Sequence, residues 1–142
     1  MMQLPQPFEE LDHTADVGVI VRGASAAETL ARLVLTMSHL LSGGGALEAR
    51  HELEIAVPGG DPLDMATDVL RELLFRFDCD HRIVAGCEVT RFDDDGATLK
   101  LALADYDEAA HEEGTELKAV TLHEARFERD GEGWVAQIVF DV

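Results

Sequence analysis

The stretch DVGVIVRGASAAETLARLVLTMSHLLSGGG, residues 16–45, changes its hydrophobic period part-way, and that change decides the fold class. Residues 17–22, VGVIVR, are short and rich in β-branched side chains, which suits a strand. Ser25 followed three residues later by Glu28 is a capping-box pattern, in which hydroxyl and carboxylate each take a backbone N–H left free by the first helical turn. Leu30, Leu33, Val34, Met37, Leu40 and Leu41 then fall on one helical stripe, and Gly43-Gly44-Gly45 stops the helix.

The pattern outward from this unit repeats once and then turns to strands. Residues 52–57, ELEIAV, alternate polar and apolar and end at Pro58-Gly59-Gly60. Asp61 suits an N-cap, Pro62 the first helical position and Asp64 the positive end of the helix dipole, and Leu63, Ala66, Leu70, Leu73, Leu74 and Phe77 supply an apolar face. From residue 81 onward, HRIVAGCEVTRF, a turn at 93–96 and ATLKLALA read as a hairpin. Residues 104–114 are acidic and irregular, 115–128 run extended, 130–133 turn, and WVAQIVFDV closes the sequence as a strand. Two amphipathic helices and about six strands, with the strands gathered late, predict an α+β fold. Its expected form is a single two-layer domain over residues 1–142, with both helices on one face of a largely antiparallel sheet.

Composition narrows the function classes. The chain has 142 residues, 46% of them hydrophobic and 28% charged, enough to bury a core. It carries 29 Asp and Glu against 11 Lys and Arg, a formal net charge of −18, so its surface should repel phosphate backbones and direct nucleic-acid binding is not expected. No run of about 18 apolar residues suits a membrane helix, and no basic, then apolar, leader opens the sequence, so a cytoplasmic protein without membrane attachment is expected. Cys79 and Cys87 form no CxxC pair and are read as reduced, partly buried thiols.

Catalytic motifs are missing: there is no GxSxG elbow, no GxxxxGK[ST] loop and no GxGxxG after a strand. Two carboxylates stand out by position, Asp16 just before the first strand's apolar run and Asp141 at the last strand's far end, beside Val142 and its α-carboxylate. If those strands are antiparallel neighbours, the start of one lies beside the end of the other and the three groups converge. Anionic oxygens so crowded repel unless they are protonated or share a cation, and oxygen ligands suit a hard ion such as Ca²⁺ or Mg²⁺. The plainer alternative is that Asp16 caps a turn and Asp141 frays into water. His13, His111 and His123 offer a second metal reading, zinc with an aspartate, without regular ligand spacing. In LKAVTLHE, Thr121 and His123 are expected on one strand face and Lys118 on the other.

Two segments together resemble a known family. LDHTADVGVIVRG (11–23) looks like the archease N-terminal signature, LKAVTLHEARFER (117–129) like that family's Lys-Ala-Val/Ile-Thr-Tyr-His segment, and WVAQIVFDV (134–142) like its closing strand. The resemblance extends over nearly the whole chain, including LRELLFRFD at the end of the second helix. Departures are Leu122 in place of the family's Tyr, Leu103-Ala104 in place of a Gly-Glu pair, and Ala109-Ala110 in place of basic residues before His111. The resemblance implies a protein cofactor, with no catalysis of its own, of the GTP-dependent RNA ligase that joins 3′-phosphate ends in tRNA splicing or RNA repair. Such a cofactor promotes guanylylation of the ligase's histidine and multiple turnover. It also implies a divalent cation, Ca²⁺ with Mg²⁺ or Mn²⁺ as alternatives, on Asp16, Asp141 and Val142. His13, Thr14, Asp107, His111, Lys118, Thr121 and His123 would stand around the ion or face the partner. Two other functions fit the same residues: a metal-dependent phosphate-ester hydrolase, and an acidic adaptor of RNA-modifying enzymes with a structural ion.

Overall fold

The computed structural model describes residues 1–12, 16–109 and 114–142. In chain order the elements are β1 (Met2–Gln3), β2 (Glu9–Asp12), β3 (Asp16–Gly23), α1 (Ala26–Ser42), β4 (His51–Pro58), α2 (Pro62–Asp80), β5 (Arg82–Asp93), β6 (Gly96–Asp105), β7 (Ala119–Asp130) and β8 (Gly133–Asp141). The strands form two four-stranded antiparallel sheets, ordered β1-β5-β6-β4 and β2-β3-β8-β7. The α+β class and the antiparallel pairing are those expected. Two short N-terminal strands raise the strand total, and the strands divide between two sheets where one was expected.

Local chemistry sets the helix ends. The Ser25 Oγ accepts the Glu28 N–H at 3.1 Å, and the Glu28 carboxylate reaches back to the Ala24 N–H at 2.8 Å, one residue earlier than the simple capping box would have it. Gly43 closes α1 with φ 77°, the left-handed conformation glycine adopts freely. Asp61 caps α2 by accepting the Asp64 N–H at 2.9 Å. At the other end His81, with φ 53°, takes the left-handed position and donates its N–H to the Phe77 carbonyl at 3.1 Å. No glycine announces that end in the sequence.

Each helix touches both sheets: α1 packs on β3 and β8 of one and β5 and β1 of the other, α2 on β7 of one and β5 and β4 of the other. Burial of α1 therefore goes beyond the single expected stripe, taking in Ala31 and Leu35 as well as Thr29, Thr36, Ser38 and Ser42. The hydroxyls of Thr29, Thr36 and Ser42 are tolerated there because each donates to the carbonyl four residues earlier, at 2.7–2.8 Å. A stack of Phe92 on Phe127 (5.4 Å between ring centroids), with Phe127 against Trp134, ties β5 of one sheet to β7 and β8 of the other.

The turn from β3 into α1 requires Gly23, because a Cβ there would come within 2.5 Å of the Thr29 hydroxyl and 2.9 Å of its backbone nitrogen. Gly23→Ala should cost about 1–3 kcal/mol in a denaturant titration through overpacking. The two thiols differ where both were expected to be partly buried: Cys79 is exposed and Cys87 buried. Burial, with a smaller contribution from the Glu88 charge, pushes the Cys87 thiol up to about 12. At pH 8 a disulfide reagent should therefore titrate one thiol per folded chain and two after unfolding.

Candidate metal centre at the end of the second sheet

The ladder between β3 and β8 brings the two singled-out carboxylates together. Asp16 and Asp141 are direct register partners, and Asp141 is in turn partnered by Ala119 of β7. The next row, Val17–Phe140–Val120, turns inward, with Phe140 and Val120 buried. Because successive residues of a strand face opposite sides, the Asp16–Asp141–Ala119 row looks away from the core. Directly opposed antiparallel residues hold their Cβ atoms about 4.5–5.5 Å apart, so two carboxylates meet without any loop being needed to bring them.

The start of β7 is held against this pair from two sides. The Lys118 N–H donates to the Asp141 carbonyl at 2.8 Å, and the Arg71 guanidinium of α2 donates twice to the Val120 carbonyl, at 3.0 and 3.3 Å. The preceding loop is tied down by the Thr115 N–H on the Leu40 carbonyl at 2.7 Å and by burial of Leu117. Asp107, at the far end of that loop, takes part in a local turn, its carboxylate accepting the Ala109 N–H at 3.0 Å.

Strand alternation fails between Thr121 and Arg126. Thr121 pairs with Val139 and Arg126 with Gln137, so four residues of β7, 122–125, oppose Ile138 alone. The simple alternation on which the expected shared face of Thr121 and His123 rests therefore does not hold along this stretch. The bulge is closed by side chains: the Thr121 hydroxyl donates to the Val139 carbonyl at 3.0 Å and accepts the His123 N–H at 3.3 Å, and the Gln137 amide donates to the Glu124 carbonyl at 2.9 Å. Glu124 sits at φ 52°, a conformation that disfavours L side chains. The bulge leaves Leu122 and His123 exposed. Nothing in the sequence marks it, since LHEA carries neither glycine nor proline.

Asp16, Asp141, Val142, Lys118 and Thr121 thus gather at one end of the sheet, with His123 in the adjoining bulge. His13, Thr14 and His111 lie outside the described residues. Among the described residues no three His, Cys, Asp or Glu side chains converge as a ligand set. The donor chemistry at the pair is oxygen only and suits a hard divalent ion better than zinc. A hollow of about 500 Å³ lined by Leu41, Phe77, His81 and Tyr106 has neither aspartate in its wall; Asp141 is exposed and Asp16 half-buried.

Comparison with known proteins agrees with this topology. The model of the archease protein family matches residues 8–142. The chain belongs to the archease family. It is 32% identical to the archease of Methanopyrus kandleri, over 96% of this chain and 99% of that one, and 29% identical to that of Pyrococcus furiosus, over 95% and 98%. The solution structure of Methanobacterium thermoautotrophicum protein 1598 superposes with a TM-score of 0.75 at 27% identity, covering 95% of this chain and 98% of that one. An archease from Thermotoga maritima, described as a possible chaperone, shares the fold with a TM-score of 0.64 at 24% identity over the full length of both. No described helix of this archease is long and apolar enough to cross a membrane.

The hydroxyl of Thr121 serves the bulge as donor and as acceptor. Thr121→Val should cost roughly 1 kcal/mol and accelerate amide exchange at residues 122–125 more than in the neighbouring rungs, as read by hydrogen-exchange NMR.

Proposed function

We propose that this chain is a protein cofactor of a GTP-dependent 3′-phosphate RNA ligase, promoting guanylylation of the ligase's histidine and its multiple turnover. Family membership supports the cofactor role, and the register pairing of Asp16 with Asp141 is the observation that carries the site. In this reading the two carboxylates, with a main-chain oxygen of Val142, hold one divalent cation, Ca²⁺ before Mg²⁺ or Mn²⁺. A bound ion supplies charge neutralisation to phosphate oxygens, and positioning is most of what phosphoryl or nucleotidyl transfer demands. The chain's own contribution is to set two carboxylates at a fixed spacing on a ladder too short and too well paired to drift. Thr14 and His13 would orient Asp16, and Lys118 would face the partner's phosphate.

The acidic surface supports contact with a protein in preference to bare RNA. At −18 the chain repels a phosphate backbone, whereas a ligase that itself grips RNA exposes the basic surface to which such a chain is drawn.

Like charges opposed across a ladder destabilise it, so in chelator Asp141→Asn should melt at or above the wild-type temperature. With Ca²⁺ at a hundred times its Kd the wild type should gain about 2.7 kcal/mol, several degrees, and the variant should gain none. In a GTP-labelling assay of the ligase, Asp16→Asn and Asp141→Asn should abolish stimulation at every concentration while the fold survives. Full stimulation by either variant would refute the site. Turnover of a phosphate ester by the isolated chain would favour a hydrolase. Chelation that lowers only the melting temperature would leave the ion a structural part of an adaptor.

A further inference from the structure

The row Asp16–Asp141–Ala119 is made of three strand ends. Asp16 opens β3, Asp141 closes β8 and Ala119 opens β7, and among the described residues no rung lies beyond them to keep the ladder shut. In the other direction the bulge interrupts the pairing of β7 with β8 after Thr121. Residues 119–121 are therefore a short run of rungs between an open end and a break, and β7 is the outer strand of its sheet, with no further strand along its free edge. Ladder ends next to a chain terminus open at little cost. This one carries Asp141.

Arg71 of α2 supplies what a further strand would. Its Nη2 and Nε donate to the Val120 carbonyl at 3.0 and 3.3 Å, at the middle of the short run. One residue beyond the run, the Lys118 N–H donates to the Asp141 carbonyl at 2.8 Å, so the main chain of Asp141 is tied to the strand that Arg71 holds. The other two helix arginines are used differently. Arg32 and Arg76 each pair with the glutamate four residues earlier, at 2.9 and 2.8 Å, whereas Arg71 has no carboxylate partner among the described residues. In a chain with 29 acidic residues against 11 Lys and Arg, a guanidinium kept on a main-chain oxygen is a specific use of a scarce charge.

Resting on the cation site proposed above, we infer that Arg71 is a positioning residue for that site. It holds the first rungs of β7 so that the main chain of Asp141, and with it the Asp141 carboxylate and the oxygen of Val142, keeps its place opposite Asp16. The action runs through the backbone, because the charge of Arg71 works the other way: a guanidinium near a divalent cation repels it. Positioning and charge therefore predict effects of opposite sign.

The test is titration calorimetry of the isolated chain with Ca²⁺, for the wild type, Arg71→Met and Arg71→Lys. Methionine keeps an apolar stem and removes both the donors and the charge. Arg71→Met should raise the Kd for Ca²⁺ about tenfold, the usual consequence of losing a group that orients a metal ligand. Were Arg71 only a nearby charge, the same variant would lower the Kd. Arg71→Lys keeps the charge and one donor in place of the fork, so its Kd should lie between the other two. Amide exchange in chelator reads the brace itself: the Lys118 N–H should exchange faster in Arg71→Met, while the amides of the β4–β6 ladder keep their wild-type rates. Arg71 stands exposed on α2, so the fold should survive. If Arg71→Met nevertheless melts early, Arg71→Lys carries the test, since its Kd must rise with the charge intact. An unchanged or lowered Kd in Arg71→Met overturns the inference, as does unchanged exchange at Lys118. Exchange that quickens equally throughout the chain overturns it too, leaving Arg71 a contributor to stability alone. A wild-type chain that binds no Ca²⁺ removes the proposed cation site as well, whereas the preceding outcomes remove only the role of Arg71.

Discussion

Everything distinctive in this molecule depends on the antiparallel ladder between β3 and β8, in the register that sets Asp16 against Asp141. Slipping the register by a single residue would turn Val17, Val19 and Val21 outward and carry the aspartate toward the core, so the burial of those valines fixes the position of the carboxylates. Val19, Val21, Ile138 and Phe140 are all essentially inaccessible, which makes the register expensive to change. The hydrophobic effect thus holds a spacing between two charges that, on their own, would prefer to be far apart.

The same ladder explains why α1 is buried on so much of its circumference. A helix packed against one sheet shows one apolar stripe, whereas α1 is covered by β3 and β8 on one side and by β5 and β1 on another. Thr29, Thr36 and Ser42 survive burial because each hydroxyl turns back on the carbonyl four residues earlier. With α1 fixed between the sheets, its C-terminal end anchors the loop ahead of β7 through the Leu40 carbonyl, and Arg71 of α2 holds the first rungs of that strand. That end of the sheet is thereby braced by both helices.

Much of this was legible in the residues. Period and capping chemistry placed both helices, and the alternation of ELEIAV and ATLKLALA placed strands that the structure pairs with each other. The meeting of Asp16 with Asp141 followed from supposing the outer strands to be antiparallel neighbours. Two features escaped for physical reasons. The division into two sheets depends on which strands pair across the chain, and a strand's hydrophobic pattern does not name its neighbour. The bulge at 122–125 is held by Thr121 and Gln137, ordinary residues whose bonds exist only once the ladder has formed.

The openness of the site bears on how it can work. Asp141 is exposed and Asp16 half-buried, on a row of the sheet turned away from the core, where water screens charge more than it does in an interior. Catalysis of phosphate chemistry draws most of its advantage from preorganised dipoles in a dry, closed site, and a ladder end offers two well-placed carboxylates and little else. What such a surface can do efficiently is complete a cavity that another protein has nearly closed, bringing charge of fixed geometry to a place where desolvation makes it count. In the proposed role, the exposure that would be a defect in an enzyme is the property that lets this chain act on a partner's active site.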